Sequence, residues 1–199
     1  MHLTTRRLVL REFVERDYQA LLAYQSDPRY LEYYPWTERQ SEDVCQLLQL
    51  FLDWQRTQPR HKFQLAVALK PHHELIGSCG LRLGSPAARQ GDLGYDLSPE
   101  HWGQGYATEA ARAAIQFGFA ELRLHRIWSW CIAENHRSVR VLEKLGLRQE
   151  GLLRENEYFK GRWWDTRLYA ILNHEWRSRQ VEHRAARRQH LVRSTAESL

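Results

Sequence analysis

The chain has 199 residues, 43% of them hydrophobic and 27% charged, a composition typical of a globular protein rather than a disordered or collagen-like one. Its length suits one domain over 1–173, and no apolar run is long enough to cross a bilayer. The net charge of +5 is concentrated at the end, where 174–199 hold six arginines and three glutamates, which predicts a basic C-terminal helix or tail.

The first residues lack the apolar stretch and small-residue cleavage site of a signal peptide. The cysteines, at Cys45, Cys79 and Cys131, are odd in number and too widely spaced for a disulfide framework or a paired-thiolate metal site. We therefore expect a cytoplasmic protein with buried, reduced thiols, no metal and no membrane contact.

The first half of the chain reads as a strand, two helices and three strands. Asp17 is expected to cap the first helix, which Asp27 and Pro28 end, and an aromatic connector then runs over Tyr30–Trp36. A second helix begins at Ser41, and Pro59 stops it. The strands follow period two and turn signals, at Arg7–Phe13, Lys62–Leu69, Leu75–Leu83 and Asp92–Leu97.

After Gly105 the apolar period changes from two to that of a helix, with alanine on its buried face. The later elements are a long helix over 107–122, a strand over His125–Ile132, a helix over Asn135–Leu145 closed by Gly146, and strands near Leu152–Phe159 and Trp163–Ile171. This order predicts an α/β (α+β) fold with a single sheet of about seven strands and four helices.

The most informative segment lies between the fourth predicted strand and the long helix, at Trp102-Gly103-Gln104-Gly105-Tyr106-Ala107-Thr108-Glu109. Glycines there let backbone amides approach an anion, and the helix N-terminus adds unpaired N–H donors, so the segment suits a phosphate group. A tight turn that merely opens a helix is the other interpretation. A dinucleotide-binding loop fits less well, because the third glycine position holds Thr108.

Three segments together resemble the GNAT superfamily of N-acetyltransferases, and within it the branch like RimJ and RimL, which acetylate the N-termini of ribosomal proteins. They are the opening Thr5-Arg6-Arg7-Leu8-Val9-Leu10-Arg11, the glycine loop, and Asn135-x-x-Ser138 followed by Glu143-Lys144-Leu145-Gly146. The resemblance spans about residues 4–172. It departs from the family at Glu100, where a glutamine or arginine is common.

The resemblance implies acetyl-CoA as donor and a mixed, mostly antiparallel sheet that is splayed between the fourth and fifth predicted strands. It implies that the pantetheine arm lies beside Leu97 and that Asn135 and Ser138 face the reactive end. The pyrophosphate is then held by the amides of the loop, with the hydroxyl of Thr108: Gly103, Gln104, Gly105, Tyr106, Ala107 and Thr108.

Attack by an amine needs a base, because an amine is mostly protonated at neutral pH. Glu155 and Glu157, two apart on a predicted strand, are expected to face the same side. The resemblance favours Glu157 as the base, with Asp92 as second choice. A solvated surface role for each is left open.

The leaving thiolate needs a proton, which many GNAT members take from a tyrosine seven residues after the asparagine. That position holds Leu142 here, so Ser138 is the natural replacement. Simple helix capping remains the alternative for Asn135 and Ser138.

The acceptor is expected to be a protein or peptide N-terminal amine, with Tyr33, Tyr34 and Trp36 shaping its pocket; the same aromatics would also suit a core. The alternatives are a small-molecule amine such as an antibiotic or polyamine, or a non-catalytic module that binds coenzyme A or RNA. Contact of the basic tail with RNA or the ribosome, and a homodimer, are left open.

Overall fold

The computed structural model describes residues 1–181, so the predicted tail lies outside the described residues from 182 onwards. A helical segment runs from 173 to 181 and overlaps the first residues of the predicted 174–199 segment. The other elements are β1 (His2–Thr4), β2 (Leu8–Arg11), α1 (Tyr18–Gln25), α2 (Pro28–Leu31), α3 (Ser41–Arg56), β3 (Lys62–Leu69), β4 (Leu75–Arg82), β5 (Gln90–Leu97), α4 (Tyr106–Ala120), β6 (Arg126–Ile132), α5 (His136–Leu145), β7 (Arg148–Phe159) and β8 (Arg162–Leu172). Among the described residues, no helix is both long and apolar enough to cross a membrane.

The eight strands form one sheet in the order β1-β2-β3-β4-β5-β6-β8-β7. Every neighbouring pair is antiparallel except β5 and β6, which run parallel. The predicted single, mixed, mostly antiparallel sheet is therefore confirmed, and the long helix between β5 and β6 is the crossover that a parallel pair requires.

The sheet separates two hydrophobic cores. On one face, α4 and α5 pack against the central strands, and Ala111, Ile115 and Leu142 are fully buried there. On the other face, α1, α2 and α3 cover the N-terminal strands, with Leu21 and Val44 at the centre of that layer. We call these the α4/α5 face and the α1/α3 face; the helices of the second one cover only part of its sheet.

Several predicted boundaries change for local reasons. The strand β1 was not predicted, because it has only three residues and they remain largely exposed. Asp17 does not cap α1: its carboxylate accepts from both terminal nitrogens of Arg11 at 2.7 Å and from the Val14 amide at 2.9 Å. Pro28 begins the short helix α2, since Asp27 accepts from the Arg29 amide at 2.8 Å.

The cysteines are free thiols, but only Cys79 and Cys131 are buried; the expectation of a buried thiol is wrong for Cys45. Cys45 lies in the first turns of α3, next to the buried Val44, and its side chain is exposed to solvent. Trp163 and Trp164 take opposite sides of β8 as adjacent strand residues must, with exposed fractions of 55% and 7%.

Candidate functional site

The parallel pair of β5 and β6 opens into a gap. Their ladder covers only three residue pairs, from Gln90 with Arg126 to Asp92 with Trp128, although both strands continue. Beyond the ladder, the Ser129 hydroxyl donates to the Leu93 carbonyl at 2.8 Å. Because the ladder ends at Asp92, the later backbone groups of β5 that face β6 have no ladder partner, which is the splay that was predicted.

The glycine loop leads from β5 to α4 through two left-handed residues, Gly103 at φ 75° and Gly105 at φ 81°. Within residues 1–181, no backbone bond outside the helices and strands uses the amides of 103–105, and the first-turn amides of α4 have no intrahelical acceptor by geometry. A Cβ at Gly103 would meet nothing within 4 Å, so the loop is open on that side. Unpaired donors converging at a helix N-terminus suit the pyrophosphate of a nucleotide.

A network from the N-terminal strands holds this loop. Glu109, in the first turn of α4, accepts from the Thr5 hydroxyl at 2.7 Å, the Arg7 amide at 2.8 Å and the Arg7 Nε at 2.7 Å. Arg7 also donates to the Gln104 carbonyl at 3.0 Å and lies over the ring of Tyr106, at 4.3 Å from its centroid. Burial acts to raise the pKa of Glu109, but bonds from Thr5 and Arg7 outweigh it and lower that pKa below 4.5.

The N-terminus of α5 brings three hydroxyl and amide groups together. Asn135 caps the helix, its Oδ1 accepting from the Ser138 amide at 3.1 Å. The hydroxyls of Ser138 and Tyr95 lie 2.9 Å apart, and Tyr95 also donates to the Ser138 carbonyl at 3.1 Å. Burial raises the pKa of Tyr95 despite its bond to Ser138, so the phenol stays protonated.

Sequence reasoning missed Tyr95, because its partner Ser138 lies 43 residues away. The sequence signal was the strand alternation that aims Tyr95 at the α4/α5 face between Leu93 and Leu97. Leu142, where many relatives carry a tyrosine, is fully buried in the core. A phenol from β5 thus stands beside the helix that lacks its own.

The aromatic connector lies on the opposite face, around a carboxylate that sequence reasoning also missed. Asp96 accepts from Tyr24 at 3.1 Å, Tyr30 at 3.2 Å and the Ser78 amide at 2.9 Å. Burial raises the pKa of Asp96, and these bonds oppose the shift. Tyr34 stacks on Tyr30, with ring centroids 4.9 Å apart.

The three predicted acceptor residues do not form one wall. Trp36 stacks on Tyr34 at 5.3 Å between centroids and is 42% exposed, so this pair borders the cluster around Asp96. Tyr33 instead packs edge-on against Trp164 at 5.9 Å, beside β6 and β8.

The candidate bases differ in what already binds them. Asp92 accepts from the Nη2 and Nε of Arg82 at 2.7 and 3.0 Å, so it is committed to an ion pair. Glu157 is half-buried in a cleft of about 300 Å³ and contacts Asn156 at 3.4 Å; within the described part of the chain it has no ion pair. Glu157 is therefore the freer of the two.

Glu155 and Glu157 do not face the same side, contrary to the prediction. The ladder of β7 with β8 jumps from Leu153 to Glu157, and Glu155 sits in the intervening bulge at φ 49°. Its amide donates to Asp165 at 2.8 Å, and it borders a different depression. The bulge breaks the strand alternation that the prediction assumed.

Comparisons with known proteins agree with this geometry. Residues 7–148 match the family described as "Acetyltransferase (GNAT) domain". YnaD of Bacillus subtilis, an uncharacterised N-acetyltransferase, is 36% identical over 176 residues, which is 88% of this chain and 99% of that protein. A GNAT-family acetyltransferase structure from Bacillus anthracis superposes with a TM-score of 0.77 at 31% identity, covering 88% of this chain and 100% of that one. A spermidine N(1)-acetyltransferase of Vibrio cholerae is 28% identical over 72% of this chain and 82% of its own length.

The chain therefore belongs to the GNAT acetyltransferase family. It is an N-acetyltransferase whose acetyl donor is acetyl-CoA. This finding replaces the alternative of a non-catalytic module, and it leaves the acceptor amine to be argued from the site.

Proposed function

We propose that the protein acetylates the N-terminal amine of a protein or peptide, in the manner of the RimJ/RimL-like branch. The observation that carries this proposal is Glu157, a carboxylate without an ion pair among the described residues, in a cleft that opens on the α1/α3 face beside the splayed strands. The amine approaches from that face and the donor from the α4/α5 face.

On the donor side, the amides of Gly103, Gln104, Gly105, Tyr106 and Ala107 hold the pyrophosphate, together with the Thr108 hydroxyl. The pantetheine arm runs through the gap beside Leu97, and Asn135 orients it from α5. Arg7 and Glu109 support this seat by fixing the loop, because the ion pair joins the loop carbonyl of Gln104 to the first turn of α4.

In the transfer step, the amine nitrogen forms a bond to the thioester carbonyl carbon, and the carbon–sulfur bond breaks. Glu157 accepts the proton that the amine loses, directly or through one water, and later releases it to solvent. A β5 amide facing the gap stabilises the oxyanion. Ser138, held in place by Tyr95, donates a hydrogen bond to the departing thiolate. The thiolate then takes a proton from solvent, and coenzyme A leaves as the free thiol. The thioester is already activated, so the residues need to form no covalent intermediate.

A small-molecule acceptor is the second candidate, favoured by the similarity to a spermidine N(1)-acetyltransferase. A homodimer, a cytoplasmic location and contact of the basic tail with RNA or the ribosome remain predictions.

The test is release of free thiol from acetyl-CoA over a panel of peptides and amines, with mass spectrometry of the products. We expect a peptide α-amine to gain one acetyl group, and Glu157→Gln to lower kcat about 10²- to 10⁴-fold, the usual effect of losing a general base. Glu155→Gln is the matched control, because this exposed carboxylate lies two residues away outside the cleft.

Turnover of polyamines with no peptide acetylation would replace the main proposal by the second candidate. Equal activity of Glu157→Gln and Glu155→Gln would remove Glu157 as the base.

A further inference from the structure

The cleft around Glu157 is formed by three neighbouring strands of the α1/α3 face. The register pairs Trp130 with Leu168 and Glu157 with Trp164, so side chains from β6, β8 and β7 meet on one side of the sheet. The cleft is lined by Trp128, Trp130, Leu153, Asn156, Glu157, Thr166 and Leu168. At about 300 Å³ it is at the small end of ligand pockets, so it suits a single terminal residue.

Its walls are apolar and exposed. Trp130 is 50% exposed and Leu153 is 49% exposed, on the part of the sheet that α1 and α3 do not cover. Apolar side chains left open in this way beside a reactive centre gain free energy when a ligand covers them.

The charges of the cleft suit one cation. Glu157 is the only acidic residue among those that line it. Asp92, on the same face of the neighbouring strand β5, is paired with Arg82. Asp96 already accepts hydrogen bonds from two tyrosine hydroxyls and a backbone amide. An amine with one positive charge is therefore matched, whereas the second amine of a polyamine would find no further carboxylate among the residues that line the cleft.

A buried hydroxyl supplies the third feature. Thr166 is 1% exposed, lines the cleft, and its Oγ1 has no hydrogen-bond partner within residues 1–181. A buried hydroxyl without a partner is costly, so a ligand that bonds to it gains specificity. In an N-terminal residue, the first peptide group follows the amine by two bonds, close enough for one ligand to reach both Glu157 and Thr166.

We infer that this cleft selects acceptor peptides whose first residue has an apolar side chain. The α-amine lies at Glu157, the side chain lies between Trp130 and Leu153, and the first peptide group bonds to the Thr166 hydroxyl. The inference rests on the proposed function and adds to it the chemical class of the N-terminal residue.

The experiment measures kcat/KM of the full chain for peptides that differ only in their first residue: leucine, alanine or aspartate. We expect leucine to exceed aspartate by about 10- to 100-fold, since one methylene group in an apolar pocket is worth about 10-fold or more. Leu153→Ala should erase most of the advantage of leucine over alanine, while Leu152→Ala should keep it. Leu152 is similarly exposed, at 47%, but it points to the other face.

Thr166→Val tests the hydroxyl at nearly constant volume. It should lower kcat/KM for the leucine peptide about 10-fold, the value of one hydrogen bond, and leave phenethylamine, which has no peptide group, unchanged. An equal loss for both acceptors would show a structural effect and overturn this part of the inference.

Three outcomes separate the inference from the function beneath it. Peptides acetylated equally whatever their first residue would overturn the inference alone. Spermidine turned over without any peptide would overturn both. The third outcome concerns Trp130→Ala, measured by sedimentation at assay concentration. If this variant turned a dimer into a monomer without changing acceptor preference, the face would bind a second copy of the chain and the inference would be overturned. Trp163→Ala, on the opposite face, is the control.

Discussion

The two sides of the splayed sheet are built differently. On the α4/α5 face, the proposed donor seat consists of backbone amides in a loop fixed by Arg7 and Glu109. On the α1/α3 face, the proposed acceptor cleft consists of side chains such as Trp130 and Leu153, about half of whose surface is open. A backbone site binds one constant group and depends little on side-chain identity, whereas a side-chain site is free to vary with its acceptor. Family membership therefore identifies the acetyl donor, but it does not identify the acceptor amine.

The largest effect expected on the donor side comes from the hydroxyl pair of Ser138 and Tyr95. Ser138→Ala should lower kcat about 10- to 100-fold with little change in KM for the peptide, because a hydrogen bond to a charged sulfur is worth about 1.5–3 kcal/mol. Tyr95→Phe should lower kcat less, about 3- to 10-fold, because it removes a neutral bond that only positions Ser138.

The double variant distinguishes positioning from general destabilisation. If Tyr95 acts through Ser138, Ser138→Ala with Tyr95→Phe should be no slower than Ser138→Ala alone. Losses that simply multiply would show that Tyr95 acts independently. Tyr169→Phe is the control: its phenol is 1% exposed in the same core and donates to Gln149 at 3.4 Å, away from the gap.

The donor side also shows what the sequence could predict. The turn that leads to α4 depends on Gly103 and Gly105, and the end of α5 depends on Gly146 at φ 87°. Because glycine adopts positive φ easily, these turns could be predicted from the sequence. The helix α3 and most strands were predicted for the same reason, since period and turn residues decide them locally.

The acceptor side shows why the rest could not be predicted. The direction of the Glu157 side chain depends on a β-bulge, and no residue pattern in β7 predicts that bulge. The hydrogen-bond partners of Asp96 lie on helices more than sixty residues earlier in the chain. Asp17 is a residue type that commonly caps helices, but its carboxylate forms an ion pair with the guanidinium of Arg11 instead. Long-range partners override local preference at these positions.

The next effect in size tests whether the donor seat depends on its support. Glu109→Gln should raise KM for acetyl-CoA about 10-fold at unchanged acceptor KM, since charge-assisted bonds to Arg7 are weakened and the loop loosens. Isothermal titration with coenzyme A checks this. Glu121→Gln, exposed at the other end of α4, should bind coenzyme A as the native chain does.

Glu109 also predicts a pH dependence of stability. Its pKa in the folded state is below the ordinary 4.5, so its contribution is fully present above pH 4.5 and is lost as the pH falls through the lowered value. The difference in free energy of unfolding between the native chain and Glu109→Gln should be constant at neutral pH and narrow below 4.5. Urea unfolding at several pH values measures it; a difference that widens on acidification would contradict the assignment.

The smallest effect on turnover is expected on the acceptor face, at Asp92. Its carboxylate is engaged by Arg82, whose guanidinium also fills the space that a side chain at Gly94 would need. Asp92→Asn should therefore change kcat by no more than about 3-fold, while stability falls by about 1 kcal/mol or less, as for a partly exposed ion pair. A loss of kcat as large as that of Glu157→Gln would show that the ion pair opens during turnover and frees Asp92 as the base. The acceptor cleft would then extend across β6 to β5, and its preference would be set by Arg82 as well as by Trp130.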